Sequence, residues 1–180
     1  MNRDQYQPGI PENIRSERAG DRWTIVFTRE LRDSPDDVWE ALTDPADLRE
    51  WAPFDPDRNL DTLGDATLTM AGGSGDERTP AYVRIAERPR LLEYTWDTDV
   101  LRWELEPMST GTCLTLRHTM DREWAARVSA GWHICIDVME LFLDGQPIGR
   151  IVAGEAKQHG WGRLNDAYAA QLGIENNPAS

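Results

Sequence analysis

The chain has 180 residues, with 19 Lys and Arg against 32 Asp and Glu, a formal net charge of −13 and 39% hydrophobic residues. That length suffices for one domain with its own core. The acidic excess repels nucleic-acid backbones and anionic membrane surfaces, and no run approaches the roughly 18 apolar residues of a membrane span.

Met1 to Gly20 is polar, holds Pro8 and Pro11, and has no apolar stretch of the kind found in a secretory signal. It is expected to be a flexible N-terminal tail, with residues 21–175 forming a single domain. Cys113 and Cys135 each sit between apolar or β-branched neighbours. With no leader, that predicts a reduced, cytoplasmic protein in which both thiols are small core residues.

Trp23 to Leu31 reads as a strand, with Trp23, Ile25, Phe27 and Leu31 on one face. Ser34-Pro35-Asp36-Asp37 is a helix start: a capping hydroxyl, a proline suited to the first position, then acids at the positive helix end. Asp44-Pro45 repeats the signal for a second short helix carrying Leu48 and Trp51. Strand-like runs follow at Leu60–Met70, Ala81–Glu87 and Leu91–Trp96, the last with Leu92, Tyr94 and Trp96 on one face. Gly72 to Asp76 reads as a hairpin tip. Leu101, Trp103 and Leu105 alternate with Arg102, Glu104 and Glu106, which marks a half-buried strand. In Cys113–Met120, Leu114, Leu116, His118 and Met120 share a face. These amount to about six strands, and the later ones are hairpin-linked and antiparallel.

Asp121 is placed to cap a long helix running through Leu143. Trp132, Cys135, Met139 and Phe142 make one stripe, while Ile134, Ile136 and Leu141 widen it until little polar face remains. Such a helix needs cover on two sides. The sheet is one cover. A last helix over about Glu155 to Leu172, stopped by Gly173, is the other.

Three stretches together resemble the START-like (SRPBCC) superfamily, with its helix-grip fold. The likeness is greatest to homologues of the activator of the ninety-kilodalton heat-shock protein's ATPase, a polyketide-cyclase-related family. The stretches are Ser34 to Trp51; Pro89 to Trp96; and Gly131-Trp132-His133 to Gly145, with Trp161 and Tyr168 to Gly173 beyond it. The resemblance covers residues 21–173. It implies an α+β architecture in which a curved antiparallel sheet wraps the long helix, with two short helices after the first strand and an extra C-terminal helix. It also implies a cavity between long helix and sheet for a small apolar or amphipathic ligand, bound without a cofactor.

Aromatic residues on inward faces are the candidates for lining such a cavity: Trp51, Phe54, Tyr94, Trp96, Trp103 and Trp132, with Met70, Cys135 and Met139 beside them. A filled core made of the same residues is the competing reading. His118 is the candidate for orienting a ligand, against a role as a hydrogen-bonded core histidine. His133, Asp137 and Glu140 share a helix face, but one nitrogen ligand falls short of a catalytic zinc set, so a hydrogen-bonded pair is expected and no metal site. Asp97 and Asp99 are expected to be turn residues. No nucleophile-and-base set can be defended from spacing. Three functions therefore compete: ligand binding, a cyclase- or dehydratase-type enzyme using the same cavity, and a protein-interaction role. The last would be a chaperone co-factor or a homodimer through the outer side of the long helix.

Overall fold

The computed structural model describes residues 2–72 and 77–175. Eight antiparallel strands form one sheet in the order β1-β2-β8-β7-β6-β5-β4-β3. Their ranges are β1 Arg15–Ala19, β2 Arg22–Leu31, β3 Phe54–Pro56, β4 Gly64–Met70, β5 Arg78–Glu87, β6 Leu91–Trp96, β7 Asp99–Met108 and β8 Gly111–Met120. The helices are α1 Pro35–Thr43, α2 Pro45–Trp51, α3 Ala125–Leu143, α4 Ala153–Ala156 and α5 Trp161–Leu172. This is the helix-grip arrangement, with eight strands rather than about six. The two additions are β3, only three residues long, and β1, whose side chains are all exposed and so carry no inward-outward alternation to read.

The period-two faces fall as expected. Leu114, Leu116, His118 and Met120 of β8 are buried, as are Leu101, Trp103 and Leu105 of β7. On the other face Arg102 stands opposite Arg117, an unfavourable like-charge pair in isolation. Glu93 and Glu104 bond Arg102, Glu104 also pairs with Arg117, and Glu17 of β1 completes the ladder. At the β7–β8 turn Gly111 takes φ +141°, and a Cβ there would lie 2.0 Å from the Leu31 carbonyl oxygen, so only glycine fits.

The two short helices start as their sequence dictates. Ser34 Oγ accepts from Asp37 N–H at 3.2 Å, and Asp44 accepts from Ala46 N–H at 2.8 Å. The start of α3 differs from expectation. Arg122–Trp124 form a single 3-10 turn, and Asp121 makes no capping bond, its carboxylate instead accepting from Arg22 Nε at 3.3 Å. The last helix is also split. Gly160, at φ +82°, breaks the backbone between a 3-10 turn at Lys157–His159 and α5, and Gly173 closes α5 in the left-handed conformation.

The N-terminal residues are not a free tail. Tyr6 and Ile14 are buried. The Tyr6 hydroxyl donates to Asp137 of α3 at 2.7 Å, Glu12 N–H donates to the Tyr168 hydroxyl of α5 at 3.1 Å, and Arg163 donates to the Pro8 carbonyl at 3.0 Å. Arg3 reaches the Arg150 carbonyl at 2.6 Å and Glu155 at 2.8 Å through Nε. The segment is a strap across α3 and α5. Three buried apolar residues, Tyr6, Pro8 and Ile14, and scattered polar bonds hold it, a pattern with no periodicity. The expected hairpin tip at Gly72–Asp76 lies mostly outside the described residues.

Candidate functional site

A hollow of about 610 Å3 opens beside α3. Val128, Gly131, Trp132 and Cys135 form its α3 wall, a stripe set by 3.6-residue spacing. Ile151, Val152 and Ala156 line it from the segment before α5, and Trp161 and Trp96 add two aromatic rings to the lining. An added Cβ on Gly131 would meet nothing within 4 Å, so this mid-helix glycine leaves the space open. Arg127, Lys157 and Asn165 are the long polar side chains of the lining. The size and the apolar walls with few polar groups are those of a small-molecule site.

A second hollow of about 590 Å3 shares Trp96 and Val128 with the first. It is more polar, with Asp97, Asp99, Asp121 and His118 in its lining. His118 is 1% exposed. Trp132 Nε1, which can only donate, gives its proton to His118 Nδ1 at 2.9 Å, and His118 Nε2 lies 2.9 Å from Asp99 Oδ2. The ring is therefore the Nε2–H tautomer, donating to Asp99. Arg22 pairs with the other oxygen of the same carboxylate. Burial lowers the His118 pKa and outweighs the opposing pull of Asp99. Burial alone would raise Asp99, but the hydrogen bond from His118 and the Arg22 charge hold it below its ordinary value. Asp99 is thus more than a turn residue: it orients the buried ring.

The ten predicted lining residues divide. Trp96, Trp132 and Cys135 line the first hollow, and Met70, Trp96 and His118 the second. Trp51, Phe54, Tyr94, Trp103 and Met139 are at most 1% exposed and line neither. They stand behind the wall. Trp51 meets Trp103, Trp103 meets Trp132, Trp132 meets Trp96, Trp96 meets Phe54 and Phe54 meets Tyr94, all edge to face with centroids 5.1–6.4 Å apart. Trp132 thereby belongs to the solid core and to the cavity wall at once. The residues that sequence reasoning missed are Arg127, Gly131, Ile151, Lys157 and Trp161. Arg127 and Gly131 were within reach, since they precede Cys135 by eight and four residues on the same stripe. The segment around Ile151 has no periodicity to reveal it.

On the far side of α3, His133, Asp137 and Glu140 do gather, but not as an isolated pair. Arg29 of β2 bonds Asp137 at 2.9 Å and Glu140 at 2.8 Å and also pairs with Glu12. His133 Nδ1 lies 2.7 Å from the Tyr168 hydroxyl, while its Nε2 stays 3.5 Å from Asp137 without a hydrogen bond. Among the described residues no group of three or more His, Cys, Asp or Glu is arranged to hold a metal ion.

The family described as Activator of Hsp90 ATPase homolog 1-like protein matches residues 32–144, more than half of the chain. The chain belongs to this family. The matched stretch runs from α1 through α3, so it includes β3 to β8 with Trp96 and His118, and Trp132 of α3; the strap, β1, β2 and the α4–α5 wall lie outside it. No protein with a curated description matches. Solved structures share the fold of this family member. A conserved protein of unknown function from Enterococcus faecalis is 17% identical, with a TM-score of 0.69 over 91% of this chain and 92% of its own. CalU16 from Micromonospora echinospora is 21% identical, with a TM-score of 0.64 over 88% and 94%. The AHSA1-like protein from Aeromonas hydrophila is 16% identical, with a TM-score of 0.58 over 68% and 92%. No helix among the described residues is long and apolar enough to cross a membrane.

Proposed function

We propose that this protein binds a small hydrophobic or amphipathic molecule, without covalent chemistry, in the hollow between α3 and the Ile151–Lys157 segment. One observation carries the reading: a 610 Å3 cavity whose walls are tryptophan and aliphatic side chains, backed by a rigid aromatic cluster. Apolar burial at about 25 cal/mol per Å2 supplies the driving force, and a preformed wall lowers the ordering cost. The state of His118 favours binding over acid–base catalysis. Both ring nitrogens are engaged inside the protein, so neither offers a lone pair to a substrate. An interaction surface on the outer side of α3 is disfavoured too, because the strap and α5 occupy that side.

The test is a thermal-shift and tryptophan-fluorescence screen with alkyl and polycyclic aromatic compounds. A compound at a hundredfold its Kd stabilises the fold by about 2.7 kcal/mol, a rise of roughly 5–10 °C for a domain of this size. Gly131→Leu places a side chain in the open space and should abolish the shift while leaving the far-ultraviolet spectrum intact. Absence of any shift across the screen, or equal binding by Gly131→Leu, would sink the reading.

A further inference from the structure

The charge around this hollow runs against the charge of the chain. Acids outnumber bases by 32 to 19 overall. Yet the described lining of the first hollow includes two cations, Arg127 and Lys157, and no carboxylate. Lys157 is the one lysine in the sequence; it is exposed, and its ammonium makes no hydrogen bond or ion pair among the described residues. Arg127 is half-buried, with its guanidinium 5.3 Å from the centroid of the Trp124 ring. The adjoining hollow has the opposite balance, with Glu77, Asp97, Asp99 and Asp121 against one cation, Arg78, in its lining. The two meet at Trp96 and Val128. A molecule with an apolar body thus meets cations and no carboxylate in the first hollow and a mainly acidic lining in the second, next to low-dielectric walls that sharpen the difference.

Resting on the binding function proposed above, we infer that the ligand is an amphipathic monoanion. Its apolar body lies between Trp132, Trp161 and Ile151, and its anionic head is held at the mouth by the Lys157 ammonium and the Arg127 guanidinium. The acidic lining of the second hollow repels the head and fixes the orientation. A carboxylate on an alkyl chain and one on a fused aromatic ring share this chemistry, and the experiment separates them.

Isothermal titration compares dodecanoate with its methyl ester and 2-naphthoate with its methyl ester. A charge-assisted contact should make each bound acid about tenfold tighter than its ester. Whichever acid shows the preference identifies the body. Lys157→Gln should remove most of that preference and leave ester affinity unchanged, whereas Arg84→Gln, on the exposed sheet face, should change neither. Lys157→Glu should reverse the preference, so that dodecylamine binds better than dodecanoate. Acylation of the untagged protein by an N-hydroxysuccinimide ester reads the same contact directly. The acid, but not the ester, should protect Lys157 by severalfold while labelling of the N-terminal amine is unchanged. Equal affinity for acid and ester overturns the charge inference and leaves the cavity function standing. Binding of neither overturns both. A preference that survives Lys157→Glu places the head elsewhere and also overturns the inference.

Discussion

Trp132 has one hydrogen to donate, and in a buried setting that hydrogen requires an acceptor. His118 Nδ1 supplies it only while the ring is neutral, because a protonated ring would point a second N–H at the first. Burial favours the same neutral form and lowers the His118 pKa from its ordinary 6.5. The sign follows. Between the unfolded and folded pKa values the unfolded chain takes up a proton that the fold refuses. Stability from this group is therefore full above about pH 6.5 and is lost as pH falls toward the lower folded value. His133, lowered chiefly by burial as well, adds a term of the same sign. Urea midpoints should fall between pH 6.5 and 5. His118→Leu should be less stable by about 2 kcal/mol at pH 7, with the Trp132 N–H left without an acceptor and Asp99 held by Arg22 alone, and should show a shallower decline on acidification. An unchanged slope would show that the ring does not titrate this way. The Cys135 thiol is pushed up to about 12, mainly by burial, and Cys113 is raised as well. A disulfide reagent at pH 8 should thus react slowly with the folded protein and titrate two thiols at once in denaturant.

At the level of elements, α3 is covered twice. The sheet takes one side. The other side meets α5 and the N-terminal strap, and there Arg29 holds three carboxylates, Glu12, Asp137 and Glu140. Burial raises the Glu12 pKa despite the guanidinium, so this cluster is held in partly desolvated surroundings. Arg29→Ala leaves those charges facing one another, and a loss of about 3 kcal/mol is expected in chemical denaturation. A loss under about 1 kcal/mol would mean that water already screens the cluster. The other end of the strap serves the cavity. Arg3 clasps the Arg150 carbonyl and Glu155, on the segment that forms the wall opposite Trp132. Arg3 and Glu155 are both more than a third exposed, so Arg3→Ala should cost little stability. Amide exchange over residues 150–157 should nevertheless quicken in that variant, because the wall loses its fastening. Exchange identical to the parent would separate the strap from the wall.

At the scale of the molecule, the buried apolar residues among those described form one connected cluster, from Tyr6 of the strap through the sheet to Leu164 of α5. Unfolding should therefore follow one transition, with tryptophan fluorescence and far-ultraviolet dichroism coinciding in urea. Deleting residues 2–14 should lower the midpoint without splitting the curve, and two separated transitions would refute a single cooperative unit. Much of this architecture was legible beforehand, because period-two and period-3.6 burial are local consequences of backbone geometry. The faces of β7 and β8, the caps at Ser34 and Asp44, the stripe of α3 and the stop at Gly173 all follow from neighbours a few residues apart. What lay beyond the sequence depends on residues far apart in the chain. Asp99 read as a turn residue until β8 brought His118 beside it, 19 positions on. The strap read as a tail because Tyr6 and Asp137 meet across 131 positions with no pattern to announce it. The aromatic set was identifiable from the sequence, but not its division into core and wall. By themselves the residues determined which faces are apolar and which ends are capped, since those preferences act within a turn or a pleat. The tertiary structure decided that Trp132 and Trp96 border empty space while Trp51 and Trp103 do not, because a cavity is set by how separate elements fail to fill the volume between them.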